Sequence, residues 1–257
     1  MKHWLSATAA LTLVLFGSPS VYAQEELRVS IVSRADDGFK ELIAQYEMKT
    51  GRKVKLTFPN FMASRDLIVK GEPFDVGIVE FPHDADVVAS GNVVPGSATL
   101  VANGLMGVAV RKGAPKPDIS TPAAVKRTLL AAKSIAYPDP EGGTSASGRN
   151  VEEMLRRLGI ADEMQAKTTH TRGGGRAMAA AASGQAEIGM TMQIGMFGMD
   201  DIDIVGTLPA EISPPSPLIA FISSRTTRAA EARELLAFLT SPEAAPIYRK
   251  FLLQPAY

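Results

Sequence analysis

The chain of 257 residues contains no cysteine. That excludes disulfides, a thiol nucleophile, thiolate metal sites and a lipid anchor on an N-terminal Cys. Aromatic residues are scarce, at 6% with one Trp, which argues against a site built to stack sugars. Neither charge is in excess. One of the 27 basic residues, Lys2, lies in the leader described below, so 26 cationic side chains would face 27 acidic ones in the mature chain. Such a balance offers no electrostatic footprint for nucleic acid or an anionic membrane. No apolar run beyond the first 23 residues is long enough to span a bilayer. A phosphate-binding loop ending in Gly-Lys-Ser/Thr is absent. The nucleophile-elbow spacing also fails by one residue, because Gly143-Thr144-Ser145-Ala146 continues to Ser147 rather than Gly.

What is present begins with the leader. Lys2 and His3 precede an apolar run from Leu5 to Phe16, and Val21-Tyr22-Ala23 supplies small residues at the positions a cleavage site needs. This is the pattern of a secretory signal peptide, residues 1–23, removed after Ala23. The expected location is the periplasm. The rest must be held by its core alone, and its length allows one large domain or two lobes.

Periodicity gives the elements. Leu27, Val29 and Ile31 alternate as in a strand, and Phe39, Leu42, Ile43 and Tyr46 mark one helix face closed by Gly51. Strands are expected at 54–58, 74–79, 104–110, 134–137, 165–169, 187–192, 202–205 and 218–223. Helices are expected at 122–132, 151–158, 176–183, 228–239 and 242–252. Strands alternating with helices imply an α/β architecture with mostly parallel sheets. The Pro-rich stretch 209–217 and the segment 102–104 read as crossings between lobes. They divide the chain into lobe 1 (24–103 with 214–257) and lobe 2 (104–213).

Ligands of open α/β sheets bind beyond the carboxyl ends of strands, at strand-to-helix junctions. Five junctions stand out. The first strand leads into Ser33-Arg34 and the second into Pro59-Asn60-Phe61-Met62. A third junction is the loop Gly142-Gly143-Thr144-Ser145-Ala146-Ser147-Gly148, within the segment Pro138 to Asn150 that follows the strand ending at Tyr137. The last two are Thr171-Arg172-Gly173-Gly174-Gly175 and the stretch Thr191 to Gly195. A helix start with free N–H groups, hydroxyls and close-approach glycines is a ready anion site. Arg adds a planar fork suited to carboxylates and oxyanions. The candidate ligand-binding residues are therefore Ser33, Arg34, Asn60, Thr144, Ser145, Ser147, Arg172 and Gln193. No catalytic residue, metal or cofactor is expected. His83 reads as a loop residue. A secreted hydrolase, the alternative of another class, would have to use His83 or His170, of which His170 lies near a junction. Met190, Met192, Met196 and Met199 read as packing rather than copper ligands.

Several ordered segments also carry a family resemblance: Phe39-Lys40-Glu41-Leu42 to Thr50-Gly51, Gly71-Glu72-Pro73, and Gly91-Asn92-Val93-Val94-Pro95-Gly96-Ser97. Val110-Arg111-Lys112-Gly113, Gly184-Gln185-Ala186-Glu187-Ile188-Gly189 and Phe238-Leu239-Thr240-Ser241-Pro242-Glu243 continue the series. Through these the chain resembles the periplasmic solute-binding proteins of ABC importers, in the molybdate-binding-protein-like group. The resemblance spans nearly all of the mature chain. It implies a type II two-lobe fold with the ligand cleft between lobes, closing on a small anion. The partners would be an ABC permease of the inner membrane or a sensor receptor, and the protein a monomer. Molybdate binders of the group hold the oxyanion with two Ser and a Tyr. Those positions fall here at Arg34, at the hydroxyl-free Asn60-Phe61-Met62, and near Met192. A branch with a Gly-Gly-x-Ser-Ala-Ser-Gly-like loop, a Gly-Gly-Gly turn and a Gln-Ile pair matches better, through 142–148, 173–175 and Gln193-Ile194. Because Arg34 at the first junction suits a carboxylate better than a tetrahedral oxyanion, the expected ligand is a small organic carboxylate, with molybdate, tungstate or sulfate as the alternative.

Overall fold

The computed structural model describes residues 26–32, 36–141 and 146–256. The chain opens as β1 (Leu27–Ile31), α1 (Asp36–Thr50), β2 (Val54–Thr57), α2 (Phe61–Val69), β3 (Val76–Glu80), α3 (Asp84–Ala89) and β4 (Thr99–Gly104). Leu105 alone then separates β4 from β5 (Met106–Arg111), which belongs to a second sheet. There follow α4 (Pro122–Ala131), β6 (Ile135–Pro138), α5 (Ala146–Leu158), α6 (Ala161–Gln165), β7 (Thr168–Thr171), α7 (Gly174–Ser183), β8 (Ile188–Met192), a 3-10 turn (Gln193–Met196) and β9 (Ile202–Thr207). The Pro-rich segment 208–215 returns the chain to the first sheet at β10 (Ser216–Ile222). The chain closes with α8 (Ala229–Leu239), α9 (Ala245–Lys250) and β11 (Gln254–Pro255).

The first sheet has the order β11-β4-β10-β3-β1-β2 and the second β7-β6-β8-β5-β9. Each is mixed rather than mostly parallel. β2-β1-β3 and β7-β6-β8 are the parallel parts, joined by crossover helices. The strands that lead into or out of a crossing, β4, β5, β9 and β10, pair antiparallel because the chain reverses as it changes sheet. A parallel strand is covered on both faces. Ser30, between Val29 and Ile31 in β1, is accordingly 4% exposed.

Local chemistry explains the element ends. Asn60 Oδ1 accepts from Ala63 N at 2.9 Å and caps α2, and Thr121 caps α4 with Pro122 at its first position. Gly184, at φ 78°, takes the left-handed turn that closes α7. In α1, Phe39, Leu42, Ile43 and Tyr46 are buried in the core of the first lobe. In α5, Val151, Met154, Leu155 and Leu158 are buried in that of the second, with Met190 and Met192. Met196 and Met199 pack in a further cluster under α7, so all four methionines are packing residues.

Candidate functional site

In both lobes the parallel strands carry their junctions at the carboxyl end. The first lobe contributes the loops after β1, β2 and β3, and the second those after β6, β7 and β8. Among the described residues, two ring contacts span the lobes. The Arg149 guanidinium, in the first turns of α5, lies 5.1 Å from the centre of the Phe61 ring at the start of α2. Phe197, just past the 3-10 turn, meets Phe251 at 4.6 Å between ring centres. Ile194, inside that turn, packs against the cores of both lobes.

Arg149 makes no ion pair with a described residue, and its described ring contact is Phe61. The Phe61 ring also meets His83, from the loop after β3, with ring centres 4.1 Å apart. His83 is 6% exposed, and its Nε2 is buried with no hydrogen-bond partner among the described residues. Burial pushes the imidazole below its ordinary value. The Arg149 and Arg65 guanidinium groups act the same way, against the weaker pull of Asp86 and Asp66. A neutral imidazole, an aromatic face and a cation without a counter-charge among the described residues thus meet where the lobes meet. A small anion would supply the missing charge.

The sequence candidates distribute unevenly around this point. Ser33, Arg34, Thr144 and Ser145 lie outside the described residues. Asn60 is beside Phe61, but its side-chain oxygen is committed to the α2 cap. Ser147 is fully buried. Its Oγ accepts from Met192 N at 3.2 Å and from Thr191 Oγ1 at 3.3 Å, tying the start of α5 to the end of β8. Its hydroxyl serves the architecture of the loop. Gln193 begins the 3-10 turn, 9% exposed, with its side chain over Gly107, where a Cβ would come within 2.6 Å of Gln193 Cγ. Arg172 is exposed between β7 and α7. Gly148 permits the loop's close approach: a Cβ there would overlap the Pro138 carbonyl and come within 2.8 Å of Pro140 N. His170 is exposed, and its ring meets Tyr137 edge-on at 4.9 Å in the neighbouring strand. Among the described residues no cluster of three or more His, Asp or Glu could hold a metal ion.

Sequence reasoning missed Arg149, Phe61 and His83. Arg149 directly follows the loop that it flagged, within the expected anion-binding helix start. His83 sits at the junction after the third parallel strand, a position as telling as those after the first and second. Its neighbours Pro82 and Asp84 gave it the look of turn chemistry.

Residues 27–251 match the family model described as bacterial extracellular solute-binding protein. An aconitate isomerase from a Pseudomonas species is 29% identical over 98% of this chain and 97% of that protein. The molybdate-binding protein ModA of Rhodobacter capsulatus is 25% identical over 96% and 95%. The periplasmic molybdate-binding protein of Azotobacter vinelandii superposes with a TM-score of 0.71 at 22% identity, covering 90% of this chain and all of that one. The architecture is that of a type II periplasmic binding protein, and the chain belongs to the bacterial extracellular solute-binding proteins.

Proposed function

We propose that this protein is exported to the periplasm, loses its leader after Ala23, and captures a small organic polycarboxylate between its lobes for an ABC permease. One observation carries the reading: Arg149 of the second lobe lies over Phe61 of the first with no ion pair to a described residue. A guanidinium shared by both lobes would favour closure around a carboxylate, through a bidentate contact that the open state lacks. The expected ligand set is Arg149 with Ser33 and Arg34 from the first lobe, and Thr144, Ser145, Arg172 and Gln193 from the second. The likeness to a protein named for aconitate, an unsaturated tricarboxylate, supports a ligand of this class.

The test is a thermal-shift panel on the mature protein. It would set citrate, cis- and trans-aconitate and succinate against molybdate, tungstate and sulfate. A true ligand at 100 times its Kd adds about 2.7 kcal/mol, a plain rise in melting temperature. A rise with carboxylates supports the reading. A rise confined to molybdate or tungstate replaces it with the oxyanion alternative.

A second reading has its own observation. A buried, neutral imidazole with a free Nε2 is suited to moving a proton. In an aconitate isomerase role, His83 would take a proton from the methylene carbon and return one to the former vinylic carbon as the double bond shifts. Following cis- and trans-aconitate by proton NMR in the presence of the protein separates the two roles. Interconversion makes it an enzyme, and binding without interconversion leaves it a receptor.

A further inference from the structure

We propose that His83 is a specificity-determining residue of the cleft, whose unbonded Nε2 takes up a proton when an anion binds beside Arg149. The inference rests on the carboxylate reading above but does not need turnover.

The geometry comes first. His83 Nε2 is removed from solvent and has no partner among the described residues, a costly state for a ring nitrogen. The ring is wedged against Phe61, and Phe61 carries Arg149. Charged groups face it from each neighbouring helix: Arg65 and Asp66 of α2, Asp86 of α3 and Arg149 of α5. From β3, Glu80 is engaged by Ser216 Oγ at 3.0 Å. Arg65 is itself paired, to Asp66 at 2.9 Å and Asp86 at 2.7 Å. Arg149 is therefore the cation left to act on the imidazole, and it favours the neutral ring. An anion drawn to Arg149 reverses the local sign. The ring then gains from carrying a proton, and Nε2–H gains an acceptor.

The consequence is linkage. The free protein holds the imidazole pKa down, and the complex lifts it. Binding therefore consumes a proton between the two values, and affinity rises as pH falls through that window. Each unit of lift gives tenfold tighter binding at the acid end. An acidic periplasm would load the protein more fully, and the selected ligand would be one that places an oxygen against Nε2.

The experiment uses the mature protein with trans-aconitate as probe. Nitrogen-15 NMR of the imidazoles is read against pH, with and without saturating probe. Only His83 and His170 remain after the leader, so assignment is simple. The expected result is a His83 titration moved to higher pH by the probe. Dissociation constants from about pH 6 to 8 should tighten for the parent, and tighten less for His83→Gln, which subtracts the probe's own titration. An unmoved His83 titration, or an equal pH dependence in His83→Gln, overturns the proposal. Should His83→Gln fail to fold, the wild-type NMR decides alone. Probe binding without a His83 shift removes this inference and leaves the carboxylate reading standing. No response to any carboxylate removes both.

Discussion

Two residues of the flagged loop and helix start, two positions apart, do opposite work. Ser147 Oγ is a buried acceptor for the Met192 backbone N–H, whereas Arg149 is exposed and engages only a ring among the described residues. Substitutions should separate them cleanly. Ser147→Ala strands a buried N–H and should cost about 1–3 kcal/mol in urea unfolding. Arg149→Ala should leave the unfolding midpoint within about 0.5 kcal/mol of the parent. It should weaken carboxylate binding at least about tenfold, the loss of one charge-assisted contact, read by calorimetry. Unchanged affinity in Arg149→Ala would place the ligand elsewhere.

Elements of the first lobe are joined by a carboxylate rather than by apolar contact alone. Asp75, at the entry to β3, is buried. Its Oδ2 accepts from Arg28 N of β1 at 2.7 Å, and its Oδ1 from Thr226 Oγ1, before α8, at 2.7 Å. Burial alone would raise this carboxyl, but the Arg28 side chain and backbone and the Thr226 hydroxyl outweigh it and hold the group below its ordinary value. A depressed carboxylate contributes stability above its unfolded value near 3.9, and loses it as pH falls through the folded value. Asp75→Asn should therefore cost about 1–2 kcal/mol at pH 7, discounted because the Arg28 side chain is half exposed. The gap to the parent should begin to narrow below about pH 4 and shrink further toward the folded value, as urea unfolding at pH 7 and pH 3 will show. A gap undiminished at pH 3 would mean that Asp75 acts by shape rather than charge.

Across the whole molecule, closure draws on contacts away from the ligand. Phe197 of the second lobe is 41% exposed yet meets the Phe251 ring of the first at a tilt, while Ile194 packs against both cores. An aromatic pair contributes about 0.5–1.5 kcal/mol beyond its area. Any part of that present only in the closed state appears as affinity. Phe197→Ala should weaken binding by about 2- to 10-fold and raise the radius of gyration of the liganded protein in solution scattering. A variant that binds as the parent does would show that the pair persists in both states.

Read at face value, the amino-acid order determined the α/β class, the reach of most elements, and the strand-end loops where a ligand would sit. Apolar period, capping residues and glycines are local signals, and α1, α4, α5 and α7 obey them. Short elements such as α2, α3, β4 and α6 went unread, because five to nine residues carry too little period and depend on packing across the sheet. The site divided along the same line. The start of α5 near Ala146 was legible because a glycine- and hydroxyl-rich stretch before an apolar period marks a helix start. That Ser147 turns inward, that Asn60 spends its oxygen on a cap, and that Arg149, Phe61 and His83 meet from three separate elements was decided by tertiary structure alone. Burial and charge at a point between two lobes are sums over residues far apart in the chain, and no local window of sequence contains them.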